Sequence, residues 1–446
     1  MTSAEQIEPR PLSGGAVMAA ASRISVTVAG GLTTLVLARV IGPGGFGTYS
    51  VARAIVPLLA TATTLGVEHG ITYFVSTGGW AARTAHLTVL KLSAITGVAG
   101  AAVGLGVRAL IPSAFAGLTV ALTALTVTGL PFALVWLYTT YIALATDRYE
   151  SYVLLSLLQA ALTLALTTSG ALVFGLGGAV GGMTASTLIV GLGSAVWGLR
   201  LPKGEGASGE LRRAISFGLK GYAANALQLV NYRLDLFILS AVTSAAAVGW
   251  YSTAAVVTAL LWVVPMALSD VLFPRVAHLN DGEQDVTLEM VETKSLRHAG
   301  LITAVTALLL VGVLELLLVP VLGANFRPAI DLGLILLPGS ALIGISPVLS
   351  SSVVGRGKPV YSLYVSLITT PLTIILFVVF IPWLKDTGAA LASSLSYLST
   401  FALFCFFYRR VTGRRVLPLL LPGRSELEDL RAVPRAAKAW TGNWRR

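Results

Sequence analysis

Three long stretches of this 446-residue chain contain no charged side chain. They run from Ala109 to Thr146, from Ser151 to Leu199 and from Leu236 to Ser269. A helix crosses the hydrocarbon core of a bilayer in about 20 residues, so each stretch has room for one or two crossings. Charged residues make up only 11% of the whole chain, about half the fraction typical of soluble proteins. The sequence therefore predicts an all-α polytopic membrane protein.

Turn residues and charges divide the chain into about twelve transmembrane spans joined by short loops. We place these spans near residues 18–41, 48–76, 87–110, 117–145, 152–174, 178–199, 214–242, 248–278, 297–320, 329–354, 360–381 and 388–411. We expect two six-helix lobes around a central cavity, followed by a tail. The predicted boundaries are 1–200 for the N-terminal lobe, 201–213 for a cytoplasmic linker, 214–411 for the C-terminal lobe and 412–446 for a basic cytoplasmic tail.

The distribution of lysine and arginine predicts the orientation in the membrane. If the N-terminus lies inside, the inner loops and the N-terminal segment hold twelve of these residues, and the outer loops hold only Arg108, Arg327 and Lys385. Because basic loops remain on the cytoplasmic side, both termini are expected in the cytoplasm and the chain in the cytoplasmic membrane. The net charge of +11 then faces anionic lipid headgroups. We expect membrane lipids, and no nucleic acid, as its partners.

The residues give no indication of an enzyme. Cys405 is the single cysteine, which excludes an internal disulfide or a cysteine metal cluster, and the four histidines occur singly. The "GRGKP" segment at Gly355–Pro359 lacks the length and the Ser or Thr of a phosphate-binding loop. The polar first fifteen residues show no cleavage site of a signal peptide. We therefore expect no enzymatic activity, no cofactor and no bound metal.

An internal repeat becomes visible when the sequence is shifted by 202 residues. The segment "VGWYSTAAV" at Val248–Val256 then lies over "FGTYSVARA" at Phe46–Ala54, and the same shift superposes spans 1 and 2 on spans 7 and 8. Two six-helix halves related by a parallel repeat are one known plan of transporters, with the substrate bound at the repeat interface. The repeat therefore favours a transporter.

Four segments resemble a known family. They are "LARVIGPGGFGTYS" (Leu37–Ser50), "LGVEHGITYFV" (Leu65–Val75), "GWYSTAAVV" (Gly249–Val257) and "LSDVLFPRVAHL" (Leu268–Leu279). They resemble the bacterial polysaccharide transporters, the O-antigen and exopolysaccharide flippases of the multidrug/oligosaccharidyl-lipid/polysaccharide exporter superfamily. The resemblance implies a flippase that moves a polyprenyl-pyrophosphate-linked sugar or oligosaccharide from the inner to the outer leaflet. A polysaccharide polymerase and glycosyltransferases are further candidate partners.

Charged residues within the spans are the candidates for function, because each costs at least about 2.5 kcal/mol at the bilayer centre unless it is paired or hydrated. If the spans are continuous helices, Arg53 and Glu68 share one face of span 2, and Asn225, Gln228 and Asp235 share one face of span 7. Hydrogen bonds between helices explain single polar residues of this kind. For stripes of several residues we favour a hydrated cavity.

We assign two roles to these residues. Those expected to bind substrate are Arg23, Arg53, Asn225, Gln228, Arg233 and Asp235, and those expected in coupling or gating are Glu68, Asp270 and Lys220. Basic residues outnumber acids in the spans, which suits an anionic headgroup, because a guanidinium binds phosphate through two parallel hydrogen bonds.

Alternatives to these roles remain open. Arg53 lies only about 9 Å along the helix from Gly47, so it could extend to the outer interface instead. Glu68 and Asp270 could be static partners of Arg23 or Lys220. A multidrug or cation antiporter of the same superfamily and a membrane scaffold without transport activity are the alternative functions.

Overall fold

A computed structural model describes residues 14–202, 210–231, 233–281 and 285–421, and these ranges are almost entirely helical. The α-helices are α1 (Gly14–Thr64), α2 (Val67–Ser76), α3 (Ala82–Leu110), α4 (Val120–Thr128), α5 (Leu130–Ala145), α6 (Tyr149–Gly198), α7 (Glu210–Asn231), α8 (Leu234–Val242), α9 (Ala245–Thr258), α10 (Val263–Asp281), α11 (Asp285–Gly312), α12 (Leu318–Leu322), α13 (Pro328–Gly355), α14 (Val360–Thr412) and α15 (Val416–Leu419).

Eight helical stretches in the described ranges are long and apolar enough to cross a membrane. Those in α1, α6 and α14 are 40, 50 and 53 residues long, about twice the length that one crossing needs or more. Each contains one residue with a non-helical backbone, namely Gly42, Gly175 and Lys385. These three breaks turn single helices into pairs of spans, and α7 with α8 completes the predicted twelve. The prediction of an all-α polytopic fold is confirmed.

The chain forms two compact units, with the boundary between Leu229 and Val230. This boundary lies near the end of α7, whereas the sequence suggested a linker at 201–213. The difference arises because α7 packs against α2 in unit 1. A Cβ atom added to Gly66 would lie 2.6 Å from the carbonyl oxygen of Gly218, and one added to Gly70 would lie 2.3 Å from that of Ala214. The lobe boundaries predicted from the order of the spans along the chain stay a prediction.

Unit 1 is built on contacts of α1 with α6, of α5 with α6 and α3, and of α2 with α5. Its core includes Ile71, Leu134 and Tyr138. The buried face of α3 carries small residues, among them Gly97, whose added Cβ would lie 2.6 Å from the Cα of Pro131. Small residues let membrane helices approach closely, and this contact area replaces the hydrophobic drive that lipid does not supply.

Unit 2 is centred on α13, which packs against α14, α10 and α9. Its core contains a buried ion pair. Arg356, at the end of α13, donates from Nε to Oε1 of Glu292 at 3.0 Å and from a terminal nitrogen to Oε2 at 2.9 Å. The Glu292 side chain is 0% exposed. Removing one partner from such a pair would leave an uncompensated buried charge, so the pair fixes α11 to α13.

The repeat is present in the structure as well as in the sequence. Tyr49 and Tyr251, which the 202-residue shift superposes, are 2% and 1% exposed. The break at Gly42 and the α9 N-cap at Ser244 differ by the same 202 positions. The matched residues are therefore packing residues, which place the same backbone break and the same buried tyrosine in each unit.

Two predicted spans are interrupted, and the prediction of continuous helices there is wrong. Span 2 breaks at Leu65 and Gly66, whose φ angles of 50° and 74° lie in the left-handed region. Gly66 accepts this backbone without strain and also admits the close approach of α7. In span 7, α7 ends at Asn231 and α8 begins at Leu234. Neither the face shared by Arg53 and Glu68 nor the stripe that ended at Asp235 can be drawn on one continuous helix.

Candidate functional site

The break in span 2 brings an acidic side chain next to two tyrosines. Glu68 lies in the first turn of α2. Its carboxylate is close enough to interact electrostatically with the phenols of Tyr138 in α5 and Tyr222 in α7. The Tyr222 hydroxyl donates a hydrogen bond to the carbonyl of Thr61. The same carbonyl accepts a hydrogen bond from Oγ1 of Thr64 at 3.3 Å, so Tyr222 joins α7 to the last turn of α1. We call Glu68, Tyr138 and Tyr222 the Glu68 cluster.

The Glu68 cluster contains two unsatisfied polar atoms. Oε2 of Glu68 and Oη of Tyr138 are buried and have no hydrogen-bond partner among the described residues. A buried polar atom without a partner costs about 1–3 kcal/mol, and more if it is charged. Such a group in a native structure calls for an explanation. The atoms are free to bind a proton, a cation or a donor group of a ligand.

A second acidic residue is held very differently in unit 2. Asp235, in the first turn of α8, is 5% exposed and accepts hydrogen bonds from the backbone N–H of Leu236 at 2.7 Å and from the hydroxyl of Tyr251. The Tyr251 oxygen lies 2.8 Å from Oγ of Ser393 in α14. We call Asp235, Tyr251 and Ser393 the Asp235 cluster. It ties α8, α9 and α14 together.

The helix break at Gly42 sets the depth of Arg53. The second half of α1 begins at Pro43, so Arg53 lies about 15 Å along the helix from its start at 1.5 Å per residue. That distance is about half of the 30 Å hydrocarbon core. Arg53 is half-buried, one turn after the buried Tyr49, and its charge acts on the Tyr49 phenol. Its distance from the start of this helical segment, about 15 Å, is therefore larger than the 9 Å measured from Gly47.

The remaining predicted site residues are distributed over several helices. Asp270 is exposed on α10, and Arg233 is the half-buried N-cap residue of α8. Arg23 belongs to α1, and Lys220, Asn225 and Gln228 belong to α7, but the side chains of these four lie outside the described residues. Their assigned roles stay predictions.

Sequence reasoning did not find the tyrosines of the two clusters. Tyr251 belongs to the repeat motif, so the sequence marked it as a residue of interest. The motif does not predict that the Tyr251 hydroxyl contacts Asp235. Tyr138 lies within an uncharged stretch and Tyr222 lies in span 7 outside its predicted stripe, and neither has a spacing that predicts contact with Glu68. Only the packing of α2 between α5 and α7 brings them together.

A family model described as "Polysaccharide biosynthesis protein" matches residues 36–331, about two thirds of the chain. The chain belongs to this family. The predicted resemblance to polysaccharide transporters is confirmed. None of the curated proteins matches the chain significantly by sequence.

Solved structures share the fold over nearly the whole chain. A lipid II flippase, MurJ, in the inward closed conformation is 12% identical, with a TM-score of 0.72, over 91% of this chain and 89% of that one. An inward-facing multidrug resistance MATE family transporter of the MOP superfamily is 17% identical, with a TM-score of 0.69, over 88% and 98%. A structure of the MATE multidrug transporter DinF-BH is also 17% identical, with a TM-score of 0.62, over 92% and 100%.

At these identities the likeness shows the fold alone, and it is a fold of flippases and transporters. The family adds a link to polysaccharide biosynthesis. Together they support a membrane flippase or transporter.

Proposed function

We propose that this protein is a flippase for a polyprenyl-pyrophosphate-linked sugar or oligosaccharide. It moves this lipid from the inner to the outer leaflet of the cytoplasmic membrane, where the sugar enters cell-surface polysaccharide synthesis. Membership in the polysaccharide biosynthesis family supports the substrate class. The likeness to a structure described as a lipid II flippase supports the type of transport.

The position of Arg53 about halfway along the second part of α1, between the Gly42 break and Thr64, is the observation that carries the proposal. A guanidinium halfway along a membrane-spanning helix marks a paired or hydrated position, and such positions often line the path of a substrate. A binding role for an anionic headgroup suits this depth, because a guanidinium forms two parallel hydrogen bonds with a phosphate. If the outer interface lies at the Gly42 break, extension of Arg53 to it requires the side chain to cover about 15 Å, which is longer than an arginine.

Glu68 supplies a candidate for coupling. Its buried, unsatisfied carboxylate oxygen lies in the first turn after the helix break at Leu65 and Gly66. Binding or release of a proton or cation at this oxygen would alter the balance between two helix positions. Glu68 is thus proposed as the group that links ion binding to transport.

Replacement of Arg53 tests the proposal. We expect Arg53→Ala to lower transport by more than about tenfold, because a hydrogen bond to a charged group contributes roughly 1.5–3 kcal/mol. Arg53→Lys should also weaken transport, since an ammonium group cannot form the paired hydrogen bonds. The measurement is complementation of a flippase-deficient strain at matched expression, together with flipping of lipid-linked sugar in liposomes.

Arg39→Ala is the matched control. Arg39 belongs to the same helix and carries the same charge, but it is exposed three residues before the Gly42 break. We expect it to retain transport within about twofold, as is usual for exposed charges. Full transport by both Arg53 variants would contradict the binding role of Arg53.

Cysteine labelling tests the proposed orientation, with both termini in the cytoplasm. In a variant in which Cys405 is replaced, a cysteine at Leu384 should react with an impermeant reagent added outside, whereas one at Asp147 should not. Both positions are exposed. Reversed labelling would contradict inward-to-outward transport.

A multidrug antiporter is the second candidate, because two of the similar structures are described as multidrug transporters. Transport of an amphipathic cation by the purified protein, without transport of lipid-linked sugar, would favour it.

A further inference from the structure

Unit 1 contains a cleft where the end of α2 meets the beginning of α7. Its volume is about 400 Å³, and it is lined by Phe74, Arg212, Arg213, Ser216 and Phe217. This volume lies within the usual range of small-ligand sites, roughly 300–1,000 Å³. The cleft lies beyond the Glu68 cluster along α2, toward the end of the span, and none of its residues belongs to the predicted site.

One wall of the cleft is aromatic and preorganised. Phe217 stacks on Tyr73 with ring centroids 4.6 Å apart and an angle of 17° between the rings. Phe74 meets Phe217 edge to face at 6.0 Å. The stack fixes the rings, yet Phe217 remains 41% exposed and Tyr73 48% exposed. The wall therefore offers an apolar surface to a ligand.

The cleft also has two basic lining residues, both in the first turn of α7. Arg213 donates to Oε1 of Glu210 at 3.0 Å, so its charge is matched by a carboxylate. Arg212 is exposed and has no ion pair within the described ranges. The Ser216 hydroxyl adds a further donor to the same cleft. Because Glu210 neutralises the charge of Arg213, the cleft has one net positive charge, that of Arg212.

An anion with an attached apolar part fits this combination. A guanidinium binds phosphate through two parallel hydrogen bonds, and the Ser216 hydroxyl is a further donor to the phosphate oxygens. The cleft also lies at the ends of two spans, the depth at which lipid phosphates are found. Basic pockets between membrane helices are general binding sites for anionic lipid headgroups.

We propose that this cleft binds the phosphate group of a membrane lipid, with Arg212 on the phosphate and the lipid chain against Phe74 and Phe217. The phosphate belongs to a polyprenyl pyrophosphate or to a resident anionic phospholipid, since both carry the same group. The first case rests on the proposed function and makes the cleft a recognition site that precedes transport. The second is independent of it.

Lipid binding by the purified full-length protein tests this site. The probes are a sugar-free polyprenyl pyrophosphate, phosphatidylglycerol and a phosphate-free glycolipid, each added in neutral detergent. Native mass spectrometry measures how much of each lipid is bound to the protein. We expect Arg212→Gln to weaken binding of the phosphate lipid that occupies the cleft about tenfold, and binding of the other phosphate lipid by less. Arg200→Gln, an equal charge change at an exposed residue outside the cleft, should change binding by less than about twofold.

The outcomes separate the sources and the hypotheses. A larger loss for polyprenyl pyrophosphate than for phosphatidylglycerol identifies the cargo as the ligand, and the reverse identifies the resident lipid. Unchanged binding by Arg212→Gln, an equal loss in Arg200→Gln, or equally tight binding of the glycolipid would overturn the proposed site.

Flipping by the wild-type protein in liposomes is measured separately. If the wild-type protein does not flip the lipid but Arg212→Gln still loses lipid binding, the proposed flippase function is contradicted and the proposed lipid site is supported. Unfolding temperatures confirm that the variants are folded, and Arg212→Gln should unfold like the wild type because Arg212 is exposed.

Discussion

The two acid–tyrosine clusters of this protein differ in how completely their polar atoms are satisfied. In the Asp235 cluster the carboxylate accepts hydrogen bonds from Tyr251 and from the backbone, and Tyr251 also contacts Ser393. In the Glu68 cluster one carboxylate oxygen and the Tyr138 hydroxyl are buried without a partner among the described residues. Both acids lie in the first turn of a short helix that follows a break in a span.

This difference separates a structural acid from one that is available for function. A satisfied buried network rigidifies the helices that contribute to it, whereas an unsatisfied group lowers stability and is retained where it has another use. The Asp235 cluster therefore fixes α8, α9 and α14, and the sequence-based role of Asp235 in substrate binding now competes with a packing role. The Glu68 cluster keeps its binding capacity.

The largest expected effect comes from removing one hydroxyl in each cluster. Tyr251→Phe leaves Asp235 and Ser393 short of a buried partner, and we expect it to lower the free energy of unfolding by about 2 kcal/mol. Tyr138→Phe removes an oxygen that is already unsatisfied, so its stability should be unchanged or slightly higher. Unfolding of both variants in the same detergent measures the difference. Equal losses would show that the clusters are energetically alike.

The next effect concerns transport and separates two acids that the repeat superposes. Glu68 has a buried, unsatisfied oxygen, whereas Asp270 is exposed on α10. We expect Glu68→Gln to slow flipping about tenfold, a typical size for coupling between sites. Asp270→Asn should slow it by less than about threefold, because an exposed charge is screened. Flipping of lipid-linked sugar in liposomes is the measurement, and a larger effect of Asp270→Asn would reverse the comparison.

The smallest effect compares the helix breaks at Gly175 in unit 1 and Lys385 in unit 2. Their backbone angles are similar, with φ of 60° and 54° and ψ of −138° and −126°. A non-glycine residue in this sparsely populated region is strained by about 1–3 kcal/mol, which glycine avoids. Lys385→Gly should therefore raise the free energy of unfolding by about 1 kcal/mol, and Gly175→Ala should lower it by a similar amount. Thermal or denaturant unfolding in detergent measures both changes. A loss of stability in Lys385→Gly would show that the lysine side chain has stabilising contacts that outweigh the strain.

The sequence predicted the parts of this fold that depend on composition. Uncharged stretches located the spans, and glycines located the break at Gly175, because lipid penalises charge and glycine accepts unusual backbone angles. The break at Leu65 escaped prediction, since leucine rarely adopts a positive φ and only the approach of α7 to Gly66 accounts for it. The ion pair of Glu292 with Arg356 joins residues 64 positions apart and has no local signal.

The break at Gly42 also has a consequence for biosynthesis. Spans 1 and 2 follow each other with a single non-helical residue between them, so they can enter the bilayer as one helical hairpin. On insertion scales an arginine at the centre of a helix costs about 2.5–3.5 kcal/mol, and Arg53 imposes this cost on span 2. If the two spans insert as a hairpin, the favourable insertion of the apolar first span helps to offset the cost of burying Arg53 in the second. We therefore expect spans 1 and 2 to insert more readily as a pair than span 2 would alone.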